Sequence, residues 1–212
     1  MSRLTICINA KDINIDKFDI SEQKEIKTKN NIKMKIAEIG YMNDNNEICD
    51  LYIILPTVET FGPHPQYIFG STKTLENING YTIAYSNKDI SKLFKTISKL
   101  CSKQFKKCNI KPVFVKNKDD KEIAYLKLKM IGDKIATMFY SDKMCRKSIN
   151  GLDLVSKFGT LTPMIHLRSI YFGAHGTLEY NASFQLNIVK AVFQEKLSSL
   201  PNFTFEEEEE EE

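Results

Sequence analysis

The sequence has no apolar run long enough to cross a membrane. Its longest, LYIILP at residues 51–56, is the length of a β-strand, well short of the roughly 18 residues that a span needs. The N-terminal segment MSRLTICINAKD lacks the apolar core of a secretion signal. We therefore expect no membrane association and an intracellular location.

Cysteine and histidine are scarce and scattered. The five cysteines include no Cys-x-x-Cys pair, and the three histidines are not at zinc-ligand spacing near them. The sequence therefore predicts no metal site, and the cysteines are interpreted as reduced core thiols in an intracellular protein.

Signatures of common enzyme classes are also missing. The chain contains no G-x-x-x-x-G-K-[ST], G-x-G-x-x-G, H-E-x-x-H or G-x-S-x-G motif. Asp119, Asp120 and Glu122 are the densest carboxylates before the terminal acidic run, and they lie in a predicted turn, where aspartate is favoured by local hydrogen bonding. His166 shares a predicted strand face with Arg168 and is interpreted as a polar surface residue. We expect a protein without enzymatic activity and without a cofactor.

Charge is distributed unevenly along the chain. Seven consecutive glutamates, Glu206 to Glu212, follow Phe203 and Phe205. The whole sequence carries +3, with 30 basic and 27 acidic residues, so residues 1–205, with 20 acidic residues, carry +10. Like charges repel and have no apolar surface to bury, so residues 201–212 are predicted to form a flexible acidic tail on a single domain, 1–200. The asymmetry favours a polyanion-binding body, and a tail that serves only solubility stays open.

Hydrophobic periodicity predicts a mainly β fold. Alternation or short apolar runs predict strands at residues 3–9, 31–42, 47–56, 80–86, 111–116, 122–131, 134–141, 163–172 and 180–193. Residues 86–107 instead have helical spacing, with Ser86 or Asn87 as the N-terminal cap. Many strands and one amphipathic helix favour an OB-fold-like Greek-key barrel with extra strands.

A predicted hairpin around residues 117–121 combines aromatic and basic side chains. If Val113 and Val115 point inward, one outer face presents Phe114, Lys116, Tyr125, Lys127 and Lys129. Single-stranded nucleic acid needs a flat face for each unstacked base and a cation for each phosphate. This face is therefore a candidate binding platform, although an ordinary solvated face with Phe114 buried stays open.

The loop TFGPHPQYIFGSTK at residues 60–73 is a second candidate. Its aromatic residues Phe61 and Tyr67, together with Lys73, suit a base-stacking lip, and partial packing of Phe61 and Phe69 under the loop is the alternative. We include Lys33, Lys35 and Arg168 as further candidate contacts.

Four segments in order resemble a known family. They are LPTVETFGPHP, NGYTIAYS, IAYLKLKMIGDKIATMFYSD and IYFGAHGTLEYNASFQLNIVKAVF, at residues 55–65, 79–86, 123–142 and 170–193. Their order resembles the single-stranded-DNA-binding proteins of large nucleocytoplasmic DNA viruses, which are similar in plan to the acidic-tailed OB-fold replication proteins of tailed phages.

The resemblance implies a function. It implies sequence-independent coating of single-stranded DNA during viral replication, recombination and repair, in the host cytoplasm or nucleus. It also implies an acidic tail that covers the basic groove until DNA displaces it, and that then contacts a DNA polymerase or helicase, with Phe203 and Phe205 as apolar anchors. Single-stranded RNA as the ligand, an acidic-tailed chaperone or scaffold for basic proteins, and a homodimer stay open.

Overall fold

The computed structural model describes residues 3–27, 31, 33–68, 71–106, 108–132, 134–173 and 180–196. The predicted acidic tail, with Phe203, Phe205, Glu206 and Glu212, lies outside the described residues. The described part contains one α-helix, α1 (Lys88–Gln104), four short 3₁₀ turns and sixteen strands. The strands are β1 (Leu4–Asn9), β2 (Phe18–Ile20), β3 (Lys24–Lys27), β4 (Lys33–Met42), β5 (Ile48–Ile54), β6 (Val58–Phe61), β7 (His64–Tyr67), β8 (Ile78–Tyr85), β9 (Val115–Lys116), β10 (Glu122–Lys127), β11 (Met130–Ile131), β12 (Lys134–Ile135), β13 (Met138–Tyr140), β14 (Ser148–Ile149), β15 (Phe158–Phe172) and β16 (Ala182–Glu195).

Two sheets make up the body of the fold. Ten strands form a curled, half-barrel sheet with the path β1-β5-β4-β15-β16-β13-β14, to which β2, β3 and β6 are added at its sides. A four-stranded sheet has the order β7-β8-β10-β9. The two longest strands, β15 and β16, pair antiparallel at the centre of the first sheet. An isolated β-bridge between Ile188 of β16 and Leu128, the residue after β10, connects the two sheets. The predicted mainly β fold with one helix is confirmed.

Helix α1 forms where the hydrophobic period predicts it. The Asn87 side chain accepts hydrogen bonds from the backbone N–H groups of Asp89 and Ile90, both at 3.1 Å, which satisfies donors that the first turn leaves free. The apolar face, with Phe94 and Ile97 at its centre, is buried in the core shared with both sheets. The lysines are therefore left on the solvent face. No helix in the described ranges is long and apolar enough to span a membrane.

Two sequence predictions about burial are wrong. Phe114 is only 7% exposed and packs against Tyr85 and Phe94, with ring centroids 6.4 and 6.1 Å apart, whereas Val115 is 43% exposed. The predicted alternation fails at these two positions, because a buried phenylalanine removes more apolar surface from water than a valine does, while Lys116 is exposed and Val113 packs against the core as predicted. The cysteines are free thiols, but they are not all core residues, since Cys7 and Cys145 are exposed.

Candidate nucleic-acid interface

An open groove of about 920 Å³ lies between the two sheets. One side is formed by Tyr125, Lys127 and Lys129 on and just after β10, and the other by side chains of β5 and β15. Strand β16 lies between these sides, because it pairs with β15 and bridges to the end of β10. The groove therefore brings together strands that are far apart in the sequence.

The β10 side follows from strict alternation. Ala124 and Leu126 are buried, so Tyr125, which is 59% exposed, and Lys127 point to the groove. The Thr137 hydroxyl fixes the end of this side: it accepts the backbone N–H of Lys129 at 2.8 Å and donates to the carbonyl oxygen of Ile188 at 2.6 Å. The predicted outward direction of Tyr125, Lys127 and Lys129 is confirmed.

The opposite side carries an aromatic pair and a cation. Tyr52 and His166 are cross-strand neighbours, and their rings stack with centroids 4.4 Å apart and an interplanar angle of 6°. Arg168 lies at a register shift between Leu167 and Ser169, where β15 has one more residue than its partner. Such a bulge redirects a side chain, and Arg168 is exposed in the groove lining.

The electrostatics of the groove favour an anion. Its basic residues Lys111, Lys127, Lys129 and Arg168 form no ion pair with any described residue, and no carboxylate is among the described residues that line it. Cations gathered in a cleft that no described carboxylate lines focus a positive potential, which raises the local concentration of a polyanion.

The pKa of His166 depends on burial and on the charges around the groove. Burial holds the pKa of His166 below its ordinary value; Asp50 raises it, and the cations Arg168 and Lys129 lower it. Its Nε2 atom is buried and has no hydrogen-bond partner within the described residues. Burial therefore favours the neutral imidazole in the folded protein.

The other predicted lysines lie outside the groove lining. These are Lys33, Lys35, Lys73 and Lys116. Lys33 and Lys116 are also occupied by ion pairs, with Glu25 at 3.3 Å and Asp120 at 3.0 Å. The structure therefore gathers only some of the predicted cations into one site.

The predicted aromatic lip is separate from the groove lining. Phe61 is 53% exposed, with its ring centroid 5.2 Å from that of Phe158 and 6.4 Å from that of His64. Phe61 is therefore not buried under its loop, and Phe69 lies outside the described residues. Tyr67, on β7, is partly buried and does not line the groove. Phe61 and Phe158 instead form a small exposed aromatic patch where β6 pairs with the start of β15.

Sequence reasoning missed several groove residues: Tyr52, Lys111, Tyr171 and Phe184. Tyr52 could have been found, because Leu51, Ile53 and Leu55 are buried and alternation places Tyr52 on the opposite face. The others required knowledge of which strands are neighbours. Comparison of the chain with protein-family models, with curated proteins and with solved structures finds no match. Within the described residues, no cluster of histidine, cysteine and carboxylate side chains could hold a metal ion.

Proposed function

We propose that this chain binds single-stranded DNA in the groove between the two sheets, without sequence preference, and coats it during viral DNA replication, recombination and repair. One observation carries the proposal: an exposed aromatic ring, Tyr125, shares a groove with cations that form no ion pair with any described residue, and no carboxylate is among the described residues that line it. Virus and process come from the family resemblance alone.

The groove chemistry supports two kinds of contact. Tyr125 offers its ring on one side and the stacked Tyr52–His166 pair lies on the other, so an unstacked base has aromatic faces in reach. Base stacking contributes about 1–3 kcal/mol per base and tolerates every base, because each has a π-face. Lys127, Lys129 and Arg168 supply charge for the phosphates.

A purely electrostatic patch would favour a duplex at least as much as a single strand. A duplex keeps its bases stacked inside, so Tyr125 would have nothing to stack on, while its higher charge density would strengthen the contacts with lysine and arginine. The preference between the two ligands therefore tests the aromatic part of the site.

The experiment is a fluorescence titration with oligo-dT, oligo-U and a DNA duplex of equal length, at two salt concentrations. We expect the order oligo-dT, oligo-U, duplex in decreasing affinity, with weaker binding at higher salt. Equal or tighter duplex binding would contradict the stacking groove, and tighter oligo-U binding would assign the groove to RNA. A groove variant carrying Lys127→Gln, Lys129→Gln and Arg168→Gln should lose most of the binding.

A further inference from the structure

The solvent face of α1 carries a regular row of lysines. Lys88, Lys92, Lys95, Lys99 and Lys103 are all exposed. At 3.6 residues per turn and 1.5 Å per residue, they lie within a sector of about 80° and along about 23 Å of the helix. We call these five residues the lysine stripe.

The protein does little to neutralise this stripe. Asp89 is the one acidic residue of α1, and it lies 3.5 Å from the ammonium of Lys92, while Lys95 pairs with Glu122. Lys88, Lys99 and Lys103 form no ion pair within the described part of the chain. Lysines four residues apart on one face repel each other and destabilise a helix. A bound anion would therefore stabilise α1 by reducing this repulsion.

The stripe offers charge without a surface for bases. The exposed residues beside the lysines include Thr96 and Ser102, and α1 exposes no aromatic side chain. A nucleic acid bound here would gain phosphate contacts but no stacking, unlike in the groove. A run of carboxylates needs only the charge, and this chain contains one in residues 206–212.

Contacts at the end of the described chain place its exit near the start of α1. Lys196 donates its backbone N–H to the carbonyl of Phe158 at 3.0 Å, and its ammonium pairs with Glu59. Thr60, which follows Glu59 in the sequence, donates its hydroxyl to the carbonyl of Ala84 at 2.5 Å. Ala84 lies four residues before Lys88, the first residue of α1. The groove is further from this exit, because Arg168 lies ten residues beyond Phe158 along β15, a distance of about 33 Å.

We propose that the lysine stripe is the docking surface for the glutamate run, residues 206–212, of the same chain. Nine residues, 197–205, separate Lys196 from the first glutamate and can span about 30 Å, which covers the stripe. Such a short tether holds the run at an effective concentration in the millimolar range. This surface is on α1, not in the groove, and the proposal does not depend on nucleic-acid binding.

Zero-length carbodiimide crosslinking of the full chain tests this, because it joins a carboxylate to a lysine only when the two are in contact. At low salt we expect intrachain links from residues 206–212 to the lysine stripe, and their loss at high salt, since screening shortens the range of exposed charges. Dominant links to Lys111, Lys127 or Lys129 would overturn the proposal in favour of the groove. Absence of links, or links found only between two chains, would overturn it as well.

Charge reversal provides the matched comparison. A stripe variant with Lys88→Glu, Lys99→Glu and Lys103→Glu should lose the links to the two remaining stripe lysines, Lys92 and Lys95. A control variant with Lys11→Glu, Lys143→Glu and Lys147→Glu, which reverses three exposed lysines elsewhere, should keep them.

A charge swap guards against misfolding of the stripe variant. Replacing residues 206–212 by lysine in that variant should restore links, now between tail lysines and stripe glutamates. If the control loses the links as fully as the stripe variant does, or if the swap fails to restore them, general charge and not the stripe holds the tail.

Discussion

Replacing Tyr125 by alanine tests the stacking role of the groove most directly. Tyr125 is 59% exposed between the buried residues Ala124 and Leu126, so the change removes a ring from the groove and little from the core. We expect a change in folding free energy within about 0.5 kcal/mol, as for other surface substitutions. Loss of one stacked base should weaken oligo-dT binding by about 1–3 kcal/mol, which is roughly a fivefold to 150-fold rise in Kd.

The salt dependence of Tyr125→Ala separates stacking from charge. Because the ring is uncharged, the loss should be equal at low and high salt, and the slope of log K against log salt should stay unchanged. Fluorescence anisotropy with labelled oligo-dT measures both quantities. Tyr125→Phe is the control, since it keeps the ring and should bind nearly as tightly as the parent. Wild-type affinity in Tyr125→Ala would refute the stacking role, and an equal loss in Tyr125→Phe would assign the effect to the hydroxyl group.

Four further predictions follow from the site and its surroundings. Lys127→Gln and Lys129→Gln should each lower the salt slope by about 0.7, as measured by salt titration; an unchanged slope would remove that lysine from the phosphate contacts. Phe114→Ala should cost about 3–5 kcal/mol of folding free energy in urea unfolding, because the ring is buried in the core; a loss below about 1 kcal/mol would contradict its packing there. Burial lowers the folded-state pKa of His166 below its ordinary value of about 6.5, so an anion that favours the imidazolium should bind with proton uptake. Oligo-dT affinity should then rise as pH falls below about 6.5, and His166→Phe should flatten that rise. The same lowered pKa predicts that folding stability falls as pH drops below the unfolded-state value of about 6.5, because the unfolded chain is protonated first. Deletion of residues 206–212 should strengthen retention on heparin at low salt by exposing the lysine stripe, with little change in oligo-dT affinity; a large gain in oligo-dT affinity would place the tail in the groove instead.

Local patterns were sufficient for the elements that depend on near neighbours. Helix α1 was predicted from its 3.6-residue period and its Asn87 cap, which act within one or two turns. The outward direction of Tyr125 and Lys127 was predicted because side chains of a strand alternate and the intervening Leu126 must be buried. The same reasoning failed for Phe114, because β9 has only two residues and cannot set the phase of the segment before it.

The composition of the groove could not be predicted in the same way. Tyr52 and Tyr125 are 73 positions apart and lie on strands of different sheets. His166 meets Tyr52 only because β15 pairs with β5, and Arg168 is directed outward at a register shift of β15 against β16. Lys33 and Lys116 look equivalent to Lys127 in the sequence, but the fold gives them carboxylate partners.

Sequence patterns are sufficient to predict the mainly β class, the helix and its lysine face, the direction of the β10 side chains and the contrast between a basic body and seven glutamates. These depend on residue type and on spacings of a few positions, which act before the chain has folded. The folded structure was needed to show which strands meet at the groove, which of its cations have no ion-pair partner among the described residues, and that the end of the described chain lies near the start of α1. Such contacts join residues far apart in the sequence, and strand pairing in the complete fold selects them.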